Sequence, residues 1–124
     1  MVEALLDSVI IIDHLNGVSQ ATAWLSSEDW HRMAISVITR AEVLAGASDD
    51  ESPHIAHLLD SFECLALDLA TADRAAQIRR EYHLRLPDAF QAAVAELNHL
   101  SLVTRDTRDL RPDTFDYVVV PYRL

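Results

Sequence analysis

An aspartate stands inside the most apolar stretch of this chain. Asp7 lies between Ala4-Leu5-Leu6 and Val9-Ile10-Ile11-Ile12, and a carboxylate in such a run needs either solvent at the end of an element or partners that hold it. The same arrangement recurs at Ala41-Glu42, at Leu86-Pro87-Asp88-Ala89 and at Val103-Thr104-Arg105-Asp106. Each carboxylate follows or closes an apolar run, where a strand ends or a helix begins. If the runs pack side by side, four carboxylates converge, and a hard divalent cation is the usual reason to build such a point.

The pattern between these acids is strand–helix alternation. Residues 3–6 predict a short buried strand running into a helix, although the β-branched run Val9–Ile12 could carry the strand further. Asn16-Gly17 marks a break, and residues 19–28 predict a helix with Ala21, Trp24 and Leu25 on one face. Met33–Ser36 reads as a second strand. Thr39-Arg40-Ala41-Glu42 has the spacing of a capping box, which would open a helix reaching Ala47. The polar segment Ser48–Pro53 is a loop, and residues 54–62 carry the apolar spacing of an amphipathic helix. Further strands are expected at Cys64–Leu67, Ser101–Val103 and Tyr117–Val120, with helices over Ala70–Tyr82 and Pro87–Asn98. This order predicts a single α/β domain over residues 1–124. It is a three-layer sandwich around a mostly parallel sheet of four to five short strands.

With 124 residues and half of them apolar, the chain can bury a core without staples. Cys64 is the only cysteine, so no internal disulfide forms, and its apolar neighbours predict a buried thiol. No apolar run approaches the ~20 residues that span a bilayer. The N-terminus lacks a basic segment, and the chain reads as cytoplasmic. Net charge is −10, and all ten basic residues are arginine. That excludes binding to nucleic acid through a general positive field. The charge is uneven, however: residues 74–111 hold seven arginines against five acids. Arginine's planar fork suits phosphate.

In open α/β sheets the site lies beyond the carboxyl ends of the strands. Asp7 and Asp106 follow strands, Glu42 lies on the helix after the second strand, and Asp88 opens a helix, so all four reach one edge. Mg²⁺ and Mn²⁺ take oxygen ligands and retain waters, so a few carboxylates suffice. Each acid also has an ordinary reading. Glu42 could only cap its helix, Asp88 could only complement a helix dipole, and Asp106, Asp109 and Asp113 could simply be solvated. Asp7 is the hardest to dismiss; Asp13 could partner it but is expected to face solvent. His54 and His57 share a helix face, yet no cysteine or third ligand completes a zinc site. Trp24 and Trp30 read as core or dimer contacts.

Together the four segments resemble the PIN-domain ribonucleases, and within them the VapC-type toxins of toxin–antitoxin pairs. The resemblance rests on Leu5–Leu15, Ile35–Gly46, Leu86–Ala89 and Leu102–Asp109 and covers nearly the whole chain. It implies metal binding and catalysis by Asp7, Glu42, Asp88 and Asp106, with Ser8, Thr104 and Asp109 in support. It further implies an endoribonuclease acting on structured RNA such as tRNA or rRNA with Mg²⁺ or Mn²⁺, a homodimer, and inhibition by a cognate antitoxin. Arg80, Arg85, Arg105 and Arg108 are placed to meet RNA phosphates. One departure is visible: Val9 stands where the family often carries Asn, Ser or Thr, which removes a hydrogen-bonding group beside Asp7.

Rival functions fare less well. A phospho-receiver domain needs a lysine that this chain lacks, and Asp7-Ser8-Val9 lacks the second aspartate of a haloacid-type phosphatase. A PIN-like module that has lost catalysis and binds a protein partner is the remaining alternative.

Overall fold

The computed structural model describes residues 1–124. Five short strands form one sheet: β1 (Ala4–Leu6), β2 (Met33–Ser36), β3 (Glu63–Leu65), β4 (Ser101–Val103) and β5 (Val118–Val119). The order is β3-β2-β1-β4-β5 and every pairing is parallel. Leu5 stands opposite Ala34 on one side and Leu102 on the other. Six helices connect the strands: α1 (Ser8–Leu15), α2 (Ser19–Ser26), α3 (Val37–Ala45), α4 (Ser52–Leu59), α5 (Leu69–Tyr82) and α6 (Leu86–Leu97).

Strand side chains alternate between faces, and the core divides accordingly. Leu5, Ala34, Leu102 and Val118 pack with Ala75, Ile78 and the Ala92–Ala95 run on α5 and α6. Leu6, Ile35 and Val103 point the other way, onto Ile10, Ile11, Leu25, Val43 and Leu59. The expected three-layer sandwich is therefore present. Trp30 stacks on Phe62 at 4.9 Å and Trp24 packs on the second cluster, so both serve the core.

Val9–Ile12 is helix, as the short first strand predicted, and does not extend β1: Asp7 in extended conformation caps α1 by accepting from the Ser8 N–H at 2.9 Å. Other expectations are corrected. The capping box at Thr39 does not form. Ser36 is the N-cap of α3, accepting from the Thr39 N–H at 3.2 Å, and Glu42 sits exposed in the helix body. Cys64 is exposed on β3, which lies at the edge of the sheet. Asp13 is buried at 5% exposure, where solvent was expected.

Candidate active site

The chain winds outward from β1 in both directions, first to β2 and β3 and later to β4 and β5. The switch point falls between β1 and β4, where a crevice opens at the carboxyl ends. Asp7 leaves β1 there, and Thr104 and Asp106 leave β4. Asp88 arrives from the first turn of α6, which Pro87 initiates. Asp7, Glu42, Asp88 and Asp106 line one cleft of about 290 Å³, with Ser8 and Val9 in its wall.

Within that cleft the carboxylates differ in surroundings. Asp88, Asp106 and Asp109 each bring an oxygen within 4.8 Å of the other two. Asp109, expected only in support, thus joins the closest trio. Glu42 lies outside it, exposed at the rim. Asp7 is buried and accepts three hydrogen bonds, which leaves Oδ2 with a free lone pair. Its Oδ1 accepts from the Ser8 N–H at 2.9 Å and from Gln91 Nε2 at 3.2 Å, and its Oδ2 accepts from the Thr104 hydroxyl at 2.7 Å. Thr104 Oγ1 also accepts the Asp106 N–H at 3.1 Å, so one hydroxyl ties the two aspartates together.

Electrostatics records the crowding. Burial, then the charge of Asp7, pushes the Asp88 carboxyl up to about 6; Asp106 and Asp109 act in the same direction. Burial raises Asp7 as well, against the pull of its hydrogen bonds. The nearest positive charge is Arg85, whose Nη2 lies 3.5 Å from Asp88 and 4.0 Å from Asp109. A cluster of hard oxygen donors that repel one another, with only the exposed Arg85 within ion-pair distance of Asp88 and Asp109, fits a divalent cation.

The four arginines expected to meet RNA separate into different environments. Arg85 and Arg108 are exposed and line the cleft. Arg80 is exposed but lies with Arg79 and His83 in a separate basic patch. Arg105 grips buried Asp13 through Nε and through Nη2 at 2.8 Å, and the Tyr122 hydroxyl donates to the same carboxylate at 2.8 Å. The guanidinium holds the Asp13 carboxyl below its ordinary range. Arg105 also lines the cleft, and its guanidinium is engaged by Asp13 as a tie between the β4 loop and α1. Removing it strands a buried charge, so Arg105→Ala should cost about 2–4 kcal/mol in urea unfolding, whereas exposed Arg80→Ala should cost almost nothing.

Gln91 is the residue that the sequence did not mark. It lies three residues after Asp88 inside the alanine-rich buried face of α6 and is 1% exposed. The available signal was a lone amide among Ala89, Ala92, Ala93 and Val94.

An all-parallel, doubly wound sheet with an acidic cleft over its switch point defines a PIN-like α/β protein. Residues 4–113 match the PIN domain. The chain belongs to the PIN-domain family and is VapC-like within it. It is 35% identical over 106 residues to Ribonuclease VapC10 of Mycobacterium tuberculosis, covering 81% of this chain and 80% of that protein. Its fold matches a toxin–antitoxin complex from Klebsiella pneumoniae with TM-score 0.90 and 35% identity, covering 98% of this chain and 100% of that one. FitAcB from Neisseria gonorrhoeae matches with TM-score 0.75 and 27% identity, over 98% of this chain and 99% of the other.

Proposed function

We propose that this chain is the toxin of a toxin–antitoxin pair, a divalent-metal-dependent endoribonuclease that cleaves structured RNA of the tRNA or rRNA class. The observation that carries the reading is the carboxylate cleft at the switch point, with Asp88 raised to about 6 by burial and by its acidic neighbours. Similarity to a ribonuclease and to a toxin–antitoxin complex supports it.

Asp7, Asp88, Asp106 and Asp109 would hold Mg²⁺ or Mn²⁺, with Glu42 reaching in from the rim. When bound, the cation supplies positive charge that lowers the pKa of an attacking water and balances charge building on the phosphoryl oxygens. The chain's own residues prepare that site. Ser8, Thr104 and Gln91 hold Asp7 in one orientation, and Thr104 links it to the backbone of Asp106. Arg85 and Arg108, exposed along the cleft, offer forked donors to phosphates on either side of the reacting one.

A second hollow adjoins the cleft and shares Glu42 with it. Ile12, Leu15, Val43, Ala47 and Ile55 form its apolar wall, and Glu51 adds a second acid. An antitoxin segment with apolar side chains and a basic residue suits this groove, since it would cover the wall and reach Glu42 and the carboxylates beyond. A homodimer belongs to the same reading: Leu69 at 84% exposure and half-exposed Leu86 and Leu97 are apolar residues for a second copy to cover.

The test is cleavage of total cellular RNA by the purified chain with Mg²⁺, with Mn²⁺ and with EDTA, beside an Asp7→Asn variant. Discrete metal-dependent products, absent from the variant, are expected. No cleavage by the folded, metal-supplied protein would instead assign a silent module that binds its partner.

A further inference from the structure

Gln91 is buried where packing alone calls for an apolar side chain. Its neighbours on α6 are Ala89, Ala92, Ala93, Val94 and Ala95, all within the core. A buried amide is costly unless each of its hydrogen-bonding groups finds a partner, and here each does. The Ser36 hydroxyl donates to Gln91 Oε1 at 2.7 Å. Gln91 Nε2 donates to Thr39 Oγ1 at 2.7 Å and to Asp7 Oδ1 at 3.2 Å. Ser36 Oγ accepts from the Thr39 N–H, and the Thr39 hydroxyl points to the Leu6 carbonyl at 3.4 Å. The Asp7 carboxylate accepts only, and the Thr39 hydroxyl gives its proton to the Leu6 carbonyl, so both call for the amide nitrogen on their side and the oxygen toward Ser36.

The placement matters because of what else α6 carries. Asp88 stands one turn before Gln91 on the same helix. Ser8 ties Asp7 to its own chain and Thr104 ties it to the strand next door. Only Gln91 ties it to the helix that delivers Asp88. Val9, in the wall of the same cleft, offers Asp7 no donor.

We propose that Gln91 is a positioning residue of the metal site, its carboxamide locked by Ser36 and Thr39 so that it fixes the Asp7 carboxylate relative to Asp88. The inference rests on the metal-site reading above. Residues that orient a ligand are worth about 10–100-fold in metal affinity.

The test is titration calorimetry of the metal-free protein with Mn²⁺ alone, on the parent, Asp7→Asn, Gln91→Met and the double variant, with thermal melts of each. Methionine matches the length and apolar fit of glutamine but donates nothing. Gln91→Met should weaken Mn²⁺ binding about tenfold or more and should cost nothing further in the Asp7→Asn background, because the effect passes through Asp7. If Asp7→Asn weakens binding while Gln91→Met changes only the melting temperature, the positioning role is overturned and the metal site stands. Equal losses in both backgrounds would overturn it too, since a general packing defect behaves that way. If Asp7→Asn leaves Mn²⁺ affinity unchanged, the metal-site reading fails and this inference with it. Thr39→Val, which removes one lock on the amide without touching Asp7, gives a second route should Gln91→Met not fold. Its loss should be smaller and again absent in the Asp7→Asn background, and an unchanged affinity would overturn the proposal.

Discussion

Asp88→Asn is expected to lower RNA cleavage by about 10³-fold or more while raising the melting temperature of the metal-free protein at pH 7. The two effects have one origin. Asp88 is buried and faces the charges of Asp7, Asp106 and Asp109, so the fold disfavours its ionised form. Asparagine keeps the shape and removes the charge. Arg85 pulls in the opposite direction at 3.5 Å, but its side chain is 76% exposed, and such a pair contributes little. The same change removes a carboxylate from the trio that stands closest together. Mn²⁺ should accordingly stabilise the parent on heating and the variant much less. A variant that cleaves RNA normally would remove Asp88 from the site, and one that melts lower than the parent would show that its charge is not strained.

Metal-free protein should lose stability as pH rises from about 4 to about 6. In the folded chain Asp88 titrates near 6, against 3.8 for an ordinary aspartate. Between those values the folded state holds a proton that the unfolded state has released, so raising the pH favours unfolding. The contribution of this group is complete below about 4 and gone above about 6, and buried Asp7, raised in the same direction, adds to it. Asp13 and Asp68 act oppositely. Their carboxyls are held low by Arg105 and by Thr71, so their stabilisation is lost only as pH falls through the acid range below 3.8. A divalent cation requires the ionised cluster, so Mn²⁺ affinity should rise with proton release and be about tenfold weaker at pH 5 than at pH 7. Melting curves at pH 4, 5, 6 and 7 with and without Mn²⁺ check both slopes. A metal-free stability that climbs across this interval would refute the strained-carboxylate account.

Much of the fold is readable because short parallel strands are buried on both faces and so appear as dense apolar runs. Met33–Ser36 and Ser101–Val103 are strands as the pattern predicts, and the helices around Ala70–Tyr82 and Pro87–Asn98 shift by only a residue or so. Sequence leaves a choice, or misleads, where an apolar run has two possible structures or surroundings. Val9–Ile12 has β-branched residues but becomes helix, since Asp7 supplies a cap at the point where β1 ends. Cys64 has apolar neighbours in sequence yet is exposed, because nothing in local composition says which strand will be at an edge.

For the site, the sequence alone determined the set of carboxylates and the end of the sheet on which they gather, because strand ends and helix starts are local events marked by local residues. Tertiary structure decided which of them meet. Asp88, Asp106 and Asp109 close to within 4.8 Å while Glu42 stays at the rim. Arg105 turns to Asp13, 92 residues away along the chain, and Gln91 to Asp7, at a separation of 84. Hydrogen bonds across such distances depend on the register of β1 against β4 and on how α6 packs over the sheet. Those are properties of the assembled core, and no segment of the chain carries them by itself.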